Sequence, residues 1–164
     1  MTSPSTTAKV TLPADEQILV TREFDAAPPL VYKAWTTARA RQALVERAAR
    51  RDDARRDRPA RRRHVALRDG RRWRSRGGLP REYREIVPNE RTVATEVYEG
   101  PWPQDGEPAV TTVTFTALDG GRTLLEQLMQ VASRQERDAI IATGMETGIH
   151  EQLDLIDELT RSLD

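Results

Sequence analysis

Residues 109–131 read AVTTVTFTALDGGRTLLEQLMQV, and residues 133–162 that follow read SRQERDAIIATGMETGIHEQLDLIDELTRS. The first stretch changes period in the second, and that change sets the fold. From Ala109 to Leu118 the residues alternate, with Val113 and Phe115 on one face and Thr112, Thr114 and Thr116 on the other. Asp119-Gly120-Gly121 is a hairpin turn, and Arg122–Val131 is the returning strand. Ser133 then caps a helix, with Glu136 three residues on as the capping-box partner. Ile141, Met145, Gly148, Ile149, Gln152, Ile156 and Leu159 step by three and four along one stripe, so a single helix is expected as far as Ser162.

Working towards the N-terminus, Thr92–Glu99 and Arg81–Val87 read as two more strands, joined by the turn Pro88-Asn89-Glu90-Arg91. Residues 100–108 form a loop. Gln17–Asp25 (QILVTREFD) is β-rich, with Ile18, Val20 and Phe24 on related faces. Ala27–Thr37 opens with two prolines, which suit a first helical turn, and Leu30, Val31, Ala34 and Trp35 follow at helical spacing. The order is strand, helix, weak middle, four meandering strands, long helix. That order implies an α+β domain, an antiparallel sheet wrapped around one helix.

The 164 residues suit one domain, taken as residues 15–164 behind a disordered tail, MTSPSTTAKVTLPA (1–14). The tail lacks the apolar core of a secretory signal, and no apolar stretch reaches the roughly 18 residues that span a bilayer. No membrane association is therefore expected, and a cytoplasmic location is. With no cysteine, disulfides and thiolate metal sites are excluded.

The zero formal charge hides an asymmetry. Residues 38–81 hold 17 arginines, no lysine and five acidic residues, a net of +12; the other 120 residues carry −12. The segment has no Ile, Phe, Tyr or Met, so it buries too little surface to offset its ordering entropy. As a phosphate-binding arm it would give salt-sensitive nucleic-acid binding. Only Trp73 is interleaved for stacking, and the rest of the chain is acidic, so a nucleic-acid partner is disfavoured.

Four stretches together, TREFDAAPPLVYKAWT (21–36), YREIVPNERTV (83–93), VTFTALDGGRTLL (113–125) and RDAIIATGMETGIHEQLDLIDEL (137–159), resemble the activator of heat-shock protein 90 ATPase homologue-like family, within the START-like (SRPBCC) superfamily. The resemblance covers about two thirds of the chain. It implies a helix-grip (START-like, Bet v 1-like) fold, in which a curved antiparallel sheet grips the C-terminal helix over a cavity. Members carry paired tryptophans and a Gly-Gly-x-Trp turn where this chain has residues 38–81, and only Arg71-Arg72-Trp73-Arg74 matches faintly. The length of the segment is right, its composition foreign and its edges abrupt. Such a pattern suggests translation out of frame between two compensating shifts, since a high-GC gene in the wrong frame yields Arg, Ala and Gly without Lys.

The resemblance implies a small apolar or amphipathic ligand and no cofactor. Its expected walls are Ile141, Met145, Gly148 and Ile149 from the helix and Val97, Phe115, Leu125 and Gln127 from the sheet. Gly144 and Gly148 either make room for a ligand or allow close packing on the sheet. Gln127 and Gln152 are polar on otherwise apolar faces, and either could orient a ligand by hydrogen bonding. Tyr83, Tyr98, Trp35 and Trp102 are aromatic candidates whose plainer role is core. His150 and His64 are the only histidines, and no second histidine lies at metal-ligand spacing. A cyclase- or dehydratase-like lyase of the same superfamily would need a titratable group in the cavity, for which His150 and Glu126 are the candidates. A chaperone ATPase-activator partner domain is the third reading, and a homodimer stays open.

Overall fold

The computed structural model describes residues 7–38, 82–96 and 108–163. The segment 39–81, with its frame-shift reading, and residues 97–107 lie outside them. Among the described residues six strands form one antiparallel, unclosed sheet in the order β1-β2-β6-β5-β4-β3. They are β1 (Lys9–Thr11), β2 (Gln17–Phe24), β3 (Glu82–Val87), β4 (Arg91–Glu96), β5 (Ala109–Leu118) and β6 (Arg122–Gln130). Helix α1 occupies 28–38 among the described residues, α2 is Arg134–Ala142 and α3 is Met145–Leu163. This is the expected helix-grip arrangement of a curved sheet and a long C-terminal helix.

The alternation in the sequence is the alternation of burial. Along β2 and β6 every second residue is buried, giving Ile18, Val20, Arg22 and Phe24 on one strand and Thr123, Leu125, Gln127 and Met129 on the other. Opposed residues of antiparallel strands share a face, so the register fixes the whole inner surface. The turn between β5 and β6 holds Gly120 at φ 77° and Gly121 at φ 72°, the left-handed conformation that glycine adopts without a Cβ penalty. Lys9–Thr11, inside the stretch expected as a disordered tail, pairs with Thr21, Val20 and Leu19 instead.

The single C-terminal helix expected from the stripe is two helices. Ser133 caps α2 as expected: its hydroxyl accepts from the Glu136 amide at 3.1 Å, and the Glu136 carboxylate accepts from the Ala132 amide at 3.0 Å. The helix then stops at Thr143. Gly144 takes φ 80° and donates its amide to the Ile141 carbonyl at 3.1 Å, a left-handed closure of the helix end. The three- and four-residue stepping hid this break because apolar residues fall at Ile141 and Met145 on either side of it. Across the break the environment changes: Ile141 is 36 % exposed, whereas Met145 is buried.

Two apolar clusters lie on the inner face. One joins Val20, Phe24, Val113, Phe115 and Leu125 of the sheet to Val31, Ala34 and Trp35 of α1 and to Leu153, Ile156 and Leu159 of α3. Phe115 is its pivot, with Tyr32 and Trp35 edge-on to its ring at 5.4 and 5.8 Å. The other joins Ile18, Met129, Ala109 and Val131 to Ile140 of α2 and Met145 of α3.

Candidate functional site

Gln127 stands on β6 between the two clusters, since Leu125 belongs to one and Met129 to the other. Across the sheet it is opposed by Val20 on β2 and Val113 on β5. All four inner-face neighbours are therefore apolar. The residue is only 6 % exposed, yet its amide is not one of the fully buried side-chain groups that lack a partner.

The row through Gln127 can be followed strand by strand. Val10 opposes Val20, Gln127 opposes Val113, Val113 opposes Thr92, and Thr92 opposes Ile86. It forms a seam across the inner face, with Gln127 and buried Thr92 as its polar members. From the helix side, Ile149 packs against both clusters, and Val10 does so from the edge.

The structure brings Met145, Ile149, Phe115, Leu125 and Gln127 to the two clusters or the seam between them. It leaves Ile141 on the exposed side of α2. Gly148 is exposed on α3, and a Cβ there would meet nothing within 4 Å, so the close packing offered as one of its roles is not found among the described residues. Val97, Tyr98, Trp102 and His64 lie outside the described residues. Tyr83 is exposed on β3, and Trp35 is core. Leu153 of α3, absent from the expected stripe, is buried where Gln152 is only half-buried.

The titratable candidates lie elsewhere. Glu126 faces Thr21 and Thr114, on the opposite face of the sheet from Gln127. His150 sits one helical turn from Glu146, its Nε2 3.7 Å from the carboxylate, on the partly exposed flank of α3. Sequence reasoning missed two buried charges, Arg137 on α2 and Arg22 on the inner face of β2. For Arg22 the partners are on α3. Its Nη1 donates to Asp154 Oδ1 at 2.6 Å and its Nη2 lies 3.9 Å from Asp157 Oδ2, both from α3. Its position in the same alternation as Ile18, Val20 and Phe24 was the available signal.

A sheet of this order, with a capped helix and then a long helix laid on its inner face, can be set beside known proteins. The model of the family described as Activator of Hsp90 ATPase homolog 1-like protein matches residues 25–161. The chain belongs to that family. As a member, it carries the family match on both sides of the Arg-rich segment. Among solved structures, a Rhodobacter sphaeroides protein is 19 % identical with TM-score 0.61, covering 96 % of this chain and 99 % of its own. A Mycobacterium smegmatis protein is 19 % identical with TM-score 0.60, covering 98 % and 100 %. An Arthrobacter aurescens protein is 18 % identical with TM-score 0.59, covering 96 % and 93 %. At such identities the likeness is one of fold. No curated protein matches the chain. Among the described residues no helix is long and apolar enough to cross a membrane.

Proposed function

We propose that this family member binds a small apolar or amphipathic molecule at the seam between the two inner-face clusters. The observation that supports the reading is Gln127, a largely buried side-chain amide ringed by Val20, Val113, Leu125 and Met129. Ligand sites combine an apolar lining with a few polar groups that set orientation, and Gln127 supplies such a group on such a lining. Met145, Ile149, Phe115 and Leu125 supply the apolar surface. Burying about 200 Å² of ligand there would return roughly 5 kcal/mol before the entropy of association is subtracted. The binding reading is favoured over a lyase because Glu126 lies on the opposite face of the sheet and His150, partly exposed, stands beside Glu146.

The test is fluorescence titration of the full chain with N-phenyl-1-naphthylamine, alongside an Ile149→Trp variant that fills the seam from the helix side. Saturable binding by the parent chain, lost in a variant that still melts cooperatively, is the expected result. Unchanged binding in Ile149→Trp, or none in the parent chain, would remove the proposal.

A further inference from the structure

Helix α3 is held to the sheet unevenly along its length. Its later part is well seated: Leu153, Ile156 and Leu159 are buried in the first cluster, and Asp154 and Asp157 face Arg22. Before Leu153 only Met145 is buried, and Ile149 is half-buried against both clusters. Glu146, Thr147 and Gly148 between them are exposed.

That first turn is also weakly built. Helix α2 starts on a capping box, in which the Ser133 hydroxyl and the Glu136 carboxylate accept from backbone amides. The residue before α3 is Gly144, which has no side-chain oxygen to offer the first amides of the helix. Threonine and glycine are poor helix formers, and Thr147 and Gly148 stand side by side in this turn. A Cβ at Gly148 would meet nothing within 4 Å, so close packing does not explain the glycine. Glu146 is the favourable choice, an acid at the positive end of the helix.

The least supported turn of α3 is thus the one that covers the seam. Segments that open to admit ligands come from the low end of local stability. Resting on the ligand-binding reading above, we infer that residues 145–149 are a lid. The turn unwinds from the break at Gly144, lifts Met145 and Ile149 from the two clusters and opens the seam between them. Helix α2 stays seated through buried Ile140 and through Arg137, which donates to the Ala14 carbonyl at 3.0 Å. The part of α3 from Leu153 onward stays seated as well. Gly148 sets how often the lid opens, and not how tightly the ligand is held.

Amide hydrogen exchange and ligand kinetics on the full chain test this together. In the ligand-free parent the Ile149 and His150 amides should exchange about tenfold faster than those of residues 153–159. Gly148→Ala should slow both by about fivefold, the ratio expected of alanine against glycine inside a helix. Stopped-flow mixing with N-phenyl-1-naphthylamine should show association and dissociation slowed by that same factor. Its Kd should change by less than about twofold, because free and bound chains both hold the turn closed. A frayed helix end with no bearing on the seam would change the exchange and leave both rate constants as they were. That result, or equal protection along all of α3, overturns the inference and leaves ligand binding standing. No binding of the probe removes the binding reading and the lid together.

Discussion

Arg22 and Asp154, 132 positions apart in the chain, meet at 2.6 Å where the inner face of β2 faces helix α3. The guanidinium is almost wholly buried, its side chain 5 % exposed, and it also lies over the Phe24 ring at 5.3 Å from the centroid. Asp154 and Asp157, three residues apart, share one flank of α3, so a single cation on the sheet addresses two acids on the helix. Asp157 in turn accepts from Arg161 at 2.5 Å. The contact fixes both the rotation of α3 and its position along the sheet, and so holds Ile149 opposite the seam.

The two acids differ in what they can contribute. Asp154 is 67 % exposed, so its loss alone is screened and Asp157 still faces the arginine. Removing both takes away the two carboxylates that face this buried charge among the described residues. Asp154→Ala/Asp157→Ala should cost about 3 kcal/mol, and Arg22→Met, which removes the charge and keeps much of the volume, clearly less. Urea unfolding of the variants measures this. An Arg22→Met chain less stable than the double acid variant would refute the clamp.

Gly144 and Gly148 sit four residues apart and should respond in opposite directions to the same change. Gly144 holds φ 80°, which a residue with a Cβ adopts only with strain, so Gly144→Ala should destabilise by about 1 kcal/mol. Gly148 lies within α3 and an added Cβ there meets nothing, so Gly148→Ala should stabilise by up to about 1 kcal/mol through helix propensity. Thermal melts of the pair decide it: two shifts of the same sign would contradict the break at Gly144.

The strands were legible because period-two burial is written in residue type. Ala109–Leu118 was read with its observed bounds, and the glycine pair announced its turn. Gln127 was legible as a polar residue in an apolar slot. Its meaning was not, because the seam exists only once Val20 and Val113 are placed on either side by register, a long-range property. Arg22 was missed for the converse reason: its type suggested solvent, and only its tertiary partners on α3 allow the burial that its alternation slot implied. The helix break was masked by continuous apolar stepping, although Thr143-Gly144 carried the C-terminal glycine signal.

Residues 38–81 yield a prediction at the level of the gene. If the stretch is read between two compensating shifts, one of the other two frames of its DNA should encode a segment of matching length with paired tryptophans and a Gly-Gly-x-Trp turn. Resequencing the locus and translating all frames checks this. The idea fails if neither alternative frame carries that pattern, and the arginines are then the protein's own.

Among the described residues strand β3 is an edge of the sheet, and its residue in the seam row, Ile86, is 53 % exposed. Tyr83 on the same strand is exposed as well. Edge strands that present apolar side chains and unpaired backbone groups are templates for intermolecular pairing, and natural sheets commonly protect them with lysine. Ile86→Lys removes little buried surface, so it should leave the unfolding midpoint nearly unchanged, within about 0.5 kcal/mol. It should also lower light scattering of concentrated protein on warming below that midpoint. If the lysine variant scattered as much as the parent, β3 would not be the surface through which chains associate. A loss of several kcal/mol would show instead that Ile86 is covered in solution, and that the sheet does not end at β3.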